Sequence, residues 1–372
     1  MTGLLLWSGL AIAAILAFLL VQLIWLSVVM YREDQNTRGL GYYGLPPAER
    51  QRVKERLTTQ ARLLRPILRV LGRVSSFTFE KASFRHRGVA GPKGTCSAES
   101  FASVEEYAAR AEDVFVVTQM KCGTTWMQHV VYQVLTRGDG DLVGSGTALY
   151  AVSPWLEGLK SVPVADAPLV GEERPARIIK THLPVELCPW IDDARYIYVA
   201  RHPVSCFASC VDFIATNAGA MAPDLAIVEK WFCSDAMWWG SWPAHVSGWA
   251  ARAAAHDNVL FLTFEEMKRD LPAIVRRVAA FLGVAPLTEA EIGRVVEKCS
   301  FAYMQRHQEA FEMHPPHILQ TDAELFVRGS ADRHADVPEE TRQRIVDWCR
   351  RELAGSGTAI EDAYPDLAPS RV

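Results

Sequence analysis

Asparagine is nearly missing from this 372-residue chain. The three present, Asn36, Asn217 and Asn258, include no Asn-x-Ser/Thr triplet, so no N-glycosylation acceptor exists and a secretory lumen is disfavoured. Paired cysteine spacings are missing as well. The eight cysteines (Cys96, Cys122, Cys188, Cys206, Cys210, Cys233, Cys299, Cys349) show no Cys-x-x-Cys, which excludes a zinc ribbon and a disulfide framework and leaves reduced thiols as the expectation. No repeat or low-complexity tract occurs, and 49% hydrophobic residues suffice for a large core, so fibrous and disordered classes are excluded. The net charge of -4 offers no general attraction to nucleic acid, which is not expected as a partner. Charge is also missing locally: nothing between Gly3 and Met30 carries any.

That uncharged, mostly apolar run exceeds the roughly 20 residues a helix needs to cross an apolar layer of about 30 Å. A cleaved leader would show a basic start, an apolar stretch of about 7–15 residues and a small-residue cleavage site, none of which is present. Residues 1–31 are therefore read as one transmembrane helix, a buried soluble helix being the plainer alternative. Residues 32–95 follow with fourteen basic side chains against five acidic ones. By the positive-inside rule this juxtamembrane segment, and everything after it, lies on the cytoplasmic side of a single-pass membrane protein. Within it Val53, Leu57, Leu64, Leu68 and Leu71 recur at helical spacing among arginines, which fits either a helix on anionic headgroups or a solvated helix packed on the body.

Residues 96–372 read as one domain of α/β class, because short β-rich apolar runs alternate with helical patterns. Strands are expected at Val114 to Thr118, Arg177 to Lys180, Tyr196 to Ala200 and Val259 to Phe264, each continuous in the way of a parallel sheet covered on both faces. Ligands collect beyond the C-terminal ends of such strands. The first strand runs into Gln119-Met120-Lys121-Cys122-Gly123-Thr124-Thr125-Trp126 and then a helical pattern. A strand, a tight turn and a helix N-terminus cradle an anion, because first-turn N–H groups lack intrahelical partners and the helix dipole adds to them. Phosphate or sulfate is the fitting guest. The loop is no Walker A motif, in which lysine follows the second glycine; here Lys121 precedes the lone Gly123.

Lys121-Cys-Gly-Thr-Thr-Trp126 resembles the Lys-Ser-Gly-Thr-Thr-Trp loop of the PAPS-dependent sulfotransferases of the cytosolic aryl and steroid type, and further matches follow in family order. Arg177-Ile-Ile-Lys-Thr-His-Leu-Pro184 is similar to the family's Lys-Thr-His-x-Pro strand end. Tyr196-Ile-Tyr-Val-Ala-Arg-His-Pro203 with Ser209 resembles the strand and helix that grip the nucleotide 3′-phosphate. Gly240-Ser-Trp-Pro-Ala-His245 with Trp249, and the stretch Val259 to Lys268, are similar to the family's GxWxxH and LxYEDMK segments. The resemblance implies a P-loop-like three-layer fold with a central, mostly parallel sheet. It also implies transfer of a sulfuryl group from PAPS (3′-phosphoadenylyl sulfate) to a hydroxyl or amine acceptor.

By the same resemblance His182 is the general base, and its ordinary pKa near 6.5 suits it to take a hydroxyl proton. Lys121 contacts the oxygen bridging sulfate and phosphate, and Lys180, on the same strand face as His182, steadies the transferring group. Thr124 and Thr125 hold the 5′-phosphate in the loop they share with Cys122 and Gly123, and Trp126 stacks on adenine. Arg201, with its forked donors, and Ser209 bind the 3′-phosphate. Phe264 stands where the family has tyrosine, and Ser300 and Phe301 resemble a stretch that lines the nucleotide. Phe326-Val-Arg328-Gly329 resembles the start of the Arg-Lys-Gly loop over the 3′-phosphate, but Ser330 to Asp336 replaces the Gly-Asp-Trp-Lys that would follow. Each residue has a plainer counterpart: a core histidine, helix N-caps, a surface ion-pair arginine, a packed tryptophan.

Cys122 replaces serine beside a helix N-terminus, a setting that lowers a thiol pKa; an inert small residue is the expected reading, with no resolving cysteine at recognisable spacing, and redox sensitivity is the alternative. Trp231, Trp238, Trp239, Trp242 and Trp249 are five of eleven tryptophans, fitting an acceptor pocket, a membrane-facing rim or plain core. Neither Cys206 with Cys210 nor His314 with His317 has further ligands at supportive spacing, so no metal is expected. The expected acceptor is a lipophilic small molecule or lipid, an alcohol or phenol, because anchor and basic segment hold the site near the bilayer. Three alternatives remain at this level: a lumenal carbohydrate sulfotransferase in inverted topology, a kinase-like enzyme, and a tethered nucleotide-binding module without turnover.

Overall fold

The computed structural model describes residues 2–36, 40–74, 78–313, 315–316, 332–354, 356 and 360–368. At the N-terminus lie helices α1 (Thr2–Asn36), α2 (Leu40–Tyr43) and α3 (Pro47–Val74). They are followed by a hairpin of β1 (Ser83–His86) and β2 (Val89–Pro92) and by α4 (Ala98–Glu105). Arg87 (φ 47°) and Gly88 (φ 86°) form the hairpin turn, the left-handed pair that matches strand twist.

The body is built on a parallel sheet ordered β4-β3-β5-β6, with β3 at Asp113–Val117, β4 at Arg177–Thr181, β5 at Arg195–Ala200 and β6 at Val259–Thr263. All five residues of β3 are buried, Val114 to Val117 as an apolar run in a central strand and Asp113 through its 3.0 Å ion pair with Arg177. Alternation sends Val114 and Val116 to one face, against α5 (Thr124–Leu135) and helix Leu271–Leu282. Phe115 and Val117 go to the other, among Phe207, Trp242 and Trp249. Helices on both faces make three layers. Between β3 and β4 lies the short α6 (Leu149–Val152), and after β5 comes α7 (Pro203–Ala218).

The helix α1 contains a 22-residue stretch, Trp7–Val28, long and apolar enough to cross a membrane. Leu26 packs with Leu57, Leu64 and Ile67 of α3, whereas Trp7, Leu10, Ile12, Ile15, Leu16, Phe18 and Leu20 stay exposed. On α3, Arg52, Arg56, Arg62 and Arg65 face solvent.

Candidate active site

Beyond the end of β3 the chain reverses sharply. Thr118 extends the ladder to Thr181, and Cys122 N–H returns to the Gln119 carbonyl. The reversal puts Lys121 at φ 65° and Gly123 at φ 102°, left-handed conformations that a side chain resists. Gly123 is required sterically too, because a Cβ there would stand 2.7 Å from Phe264 Cδ2. It caps α5 without a side-chain bond, so the first-turn N–H groups keep no cap partner. Thr124 shares a 2.6 Å hydroxyl contact with Thr118, and Thr125 lies 3.3 Å from the Tyr150 hydroxyl, so neither acts as N-cap.

At the end of β4, Lys180 is almost wholly enclosed, its ammonium 3.5 Å from the ring centre of Trp155 and 5.2 Å from that of Tyr150. Burial brings it down to about 7, opposed by Glu157 and reinforced by the charge of Lys121. Half-buried Lys121 is also lowered, by burial and then by Arg201, and its Nζ lies 4.8 Å from the Phe213 ring centre. Among the described residues neither lysine makes an ion pair. One enclosed and one half-buried ammonium, neither in ion-pair contact with a carboxylate and both beside a helix N-terminus, fit a polyanion.

His182 follows directly. Its Nδ1 is 2.9 Å from the Thr118 carbonyl, which can only accept, so Nδ1 carries the proton and Nε2 keeps its lone pair. Burial and the Lys180 charge hold this imidazole well below the usual histidine value. Its ring lies 5.4 Å from Trp155 and 4.8 Å from Trp239. The backbone is pinned from both sides: His182 N–H donates to Glu157 (2.8 Å), and His245 Nε2 donates to the His182 carbonyl (2.9 Å). Tyr198 supplies the matching hydroxyl to His245 Nδ1 at 2.8 Å. Trp239 itself has φ 62°, and the Gln119 amide grips the carbonyls of Trp238 and Gly240 on either side of it. A backbone strained in this way persists only when its surroundings fix it.

At the far side of the turn Arg201 donates to the Lys121 carbonyl at 3.1 Å and lies 4.4 Å over the Phe264 ring. Trp126 meets Phe264 edge-on at 5.3 Å, and its indole N–H reaches the Cys299 carbonyl at 2.8 Å. That bond brings in Ser300, which caps helix Phe301–Arg306, with Phe301 at its start. Ser209 is half-buried on α7, two turns beyond Arg201. The structure thus brings Lys121 to Trp126, Lys180, His182, Arg201 and Phe264 to one edge of the sheet, with Phe301 and Ser209 on flanking helices. Arg328 and Gly329, like His314 and His317, lie outside the described residues.

Glu157 was invisible to sequence reasoning. It is fully buried and accepts from Thr181 (2.9 Å) as well as His182. It reaches the site because Pro154 to Leu156 pairs with Lys180 as an extra parallel bridge, a nonlocal contact with no local signal. Burial pushes the Cys122 thiol well up, which agrees with an inert small residue there; at Cys206 burial also acts upward but is outweighed by hydrogen bonds from Cys122 and Cys210 and the charges of Arg201 and Lys121, which drive that thiol down. The sulfurs of Cys122 and Cys206 are 3.7 Å apart. Among the described residues no group of His, Cys, Asp and Glu is arranged to hold a metal.

A model of the sulfotransferase domain matches residues 111–357. The chain belongs to the sulfotransferase family. Human sulfotransferase 2B1 is 30% identical over 300 residues, covering 76% of this chain and 78% of that protein. Mouse sulfotransferase 2B1 is 32% identical over 310 residues, 78% and 88% of the two chains. In fold, this sulfotransferase is similar to mouse sulfotransferase SULT7A1 complexed with PAP, at TM-score 0.58 and 21% identity over 77% of this chain and 97% of that one. Retinol dehydratase in complex with androsterone and inactive cofactor PAP gives TM-score 0.58 at 22% identity, over 75% and 94%. The sulfotransferase is an enzyme of α/β class, and the candidate residues gathered above fall inside the matched region.

Proposed function

We propose that this sulfotransferase moves a sulfuryl group from PAPS to a hydroxyl of a lipophilic small molecule, with His182 as general base, at the cytoplasmic face of a membrane. PAPS supplies an activated sulfate on a phosphate leaving group. The observation that carries this reading is His182: Nδ1–H tied to Thr118, Nε2 without a partner among the described residues, and the ring against a pair of tryptophans beside the Lys180 ammonium.

His182 Nε2 takes the proton of the acceptor hydroxyl, and the held-down pKa keeps it unprotonated at neutral pH. Lys180 and Lys121 offset charge on the transferring group and on the departing phosphate. Thr124, Thr125, and the N–H groups of Cys122, Gly123 and the first turn of α5 hold the 5′-phosphate. Arg201 and Ser209, with Arg328 and Gly329 from outside the described residues, take the 3′-phosphate. Trp126, Phe264 and Phe301 wall the base. Relatives named for steroid- and retinol-sized ligands, such as the androsterone complex, favour an apolar acceptor, as do Trp155 and Trp239 beside the base.

Residues 1–31 anchor the enzyme in one pass, 32–95 form the basic juxtamembrane segment, and 96–372 carry catalysis. The row of exposed apolar side chains on α1 supports the anchor, since water would leave them unburied. The excess of arginine directly after it supports a cytoplasmic body. Transfer of labelled sulfate from PAPS into a cell lipid extract tests the activity. His182→Ala loses about 10²–10⁴-fold in rate, the usual contribution of a positioned base; an equally active variant removes His182 as base. Protease treatment of sealed vesicles tests the topology, and a protected body on vesicles of cytoplasm-out orientation would reverse it.

A further inference from the structure

The segment between anchor and body is more than a tether. Tyr42 and Tyr43 of α2 are 1% and 3% exposed, although they follow directly on the membrane-proximal stretch. Tyr43 stacks on Tyr150 with ring centres 5.8 Å apart and planes 22° from parallel. Tyr150 touches two residues of the site: its hydroxyl lies 3.3 Å from Thr125 Oγ1, and its ring lies 5.2 Å from the Lys180 ammonium.

The segment is fastened to the body at several points. Tyr42 hydroxyl donates to Glu312 at 2.6 Å, and Lys54 pairs with the same carboxylate at 2.9 Å. Buried Arg50 donates to the carbonyls of Leu45 and Gly146, each at 3.1 Å, tying α3 to the loop before α6. On its other side α3 packs against α1 through Leu57, Leu64 and Ile67. Val53 of α3 packs against both that cluster and the one holding Tyr43 and Tyr150, so packing runs from the apolar helix through α3 to the tyrosine pair beside Lys180.

We propose that Tyr43 is a positioning residue for sulfuryl transfer, acting through Tyr150 to fix Lys180 and Thr125, so that the juxtamembrane segment forms part of the active-site wall. The inference rests on the role given above to Lys180. Packing rather than hydrogen bonding does the work, since the Tyr43 hydroxyl is buried without a hydrogen-bond partner. Removing the ring opens the ammonium to water and lets it wander, whereas removing the hydroxyl alone relieves an unmet donor.

The test uses the full-length chain in phospholipid vesicles, with kcat, KM for PAPS and the pH profile measured on any active acceptor. Tyr43→Ala is expected to lose about 10- to 100-fold in kcat, the scale of a misplacement near 1 Å. Its alkaline limb moves to higher pH, because hydration raises Lys180 while the other groups facing it, Glu157, Cys96, Lys121 and His182, are left in place. Tyr43→Phe keeps wild-type kinetics with equal or higher thermal stability. Should Tyr43→Ala fail to give a cooperative unfolding transition, Tyr43→Leu retains most of the volume without the stacked ring and must show the same shift of the limb. A folded Ala or Leu variant with unchanged kcat, KM and pH profile overturns the proposal. Lys180→Ala separates the two layers: if it abolishes transfer while Tyr43→Ala is silent, only the positioning role falls; if Lys180→Ala is fully active, the role of Lys180 falls and this inference with it.

Discussion

Donor binding is expected to pull a proton from solution, and the reason lies in the enclosure of Lys180. An ordinary lysine titrates near 10.4. Here burial against Trp155 and Tyr150 brings the free enzyme's ammonium to about 7. A polyanion seated beside it stabilises the charged form and raises the value again. At pH 8 the free enzyme then holds only about a tenth of its Lys180 as ammonium, while the complex holds nearly all of it, so binding takes up roughly 0.9 proton. Above pH 7 the affinity for PAPS should fall by up to about tenfold per pH unit until the complex itself begins to lose the proton. Phosphates are fully ionised at pH 8 (second pKa about 6) and add nothing there. Calorimetric titration of PAPS without acceptor, in two buffers of different ionisation enthalpy, reads the uptake directly. Lys180→Ala should abolish most of it. Identical heats in both buffers at pH 8 would refute the coupling between that lysine and the donor.

Gly123→Ala tests the cradle: the left-handed backbone costs about 1–2 kcal/mol for a side chain, and the 2.7 Å approach to Phe264 adds about 1–3 kcal/mol of overpacking. Thermal unfolding and PAP titration should show that sum, roughly 2–5 kcal/mol, divided between stability and affinity; no change in either would disprove the required glycine. Acid is predicted to unfold the enzyme early, because His129, His182 and His245 are buried and neutral, with His129 at about 3 and His245 at about 4. All three are held below their unfolded value, so their stabilisation is complete above pH 6.5 and is lost as pH falls toward the folded values. With three extra protons on the unfolded chain the slope approaches about 4 kcal/mol per pH unit, and Glu157, raised by burial, offsets at most one of them. A melting temperature constant between pH 6.5 and 5 would contradict it.

The sheet was legible because its strands are continuous apolar runs, and a strand buried on both faces leaves that mark in the chain itself. Val114 to Thr118 and Tyr196 to Ala200 were expected within a residue of their observed bounds. The turn through Lys121 and Gly123 was legible for a related reason: strand, turn and helix are contiguous, so one short stretch holds the whole cradle. What escaped was everything assembled across sequence distance. Glu157 reaches His182 through a bridge at Trp155, and Tyr43 reaches Lys180 only through Tyr150, more than a hundred residues on. The electrostatics of Cys122 are also set across sequence distance. A helix N-terminus favours thiolate, but Cys122 is walled in by Cys206 from α7, and desolvation outweighs the dipole.

The same division bears on how the site works. Residues contiguous in sequence form the part that meets the anion, whose recognition needs only N–H groups, hydroxyls and cations. The nonlocal residues set the values at which those cations titrate. Lys180 would be an ordinary lysine without Trp155 and Tyr150 over it, and His182 would choose no tautomer without the Thr118 carbonyl. Glu157 and His245 touch only the backbone of His182, yet they fix the ring by fixing its peptide groups. Replacing His245 leaves every group that meets the substrate intact and frees the direction of Nε2, so the damage should appear in kcat before it appears in KM for PAPS. A His245→Ala variant that raises KM and spares kcat would place that imidazole with the donor rather than with the base.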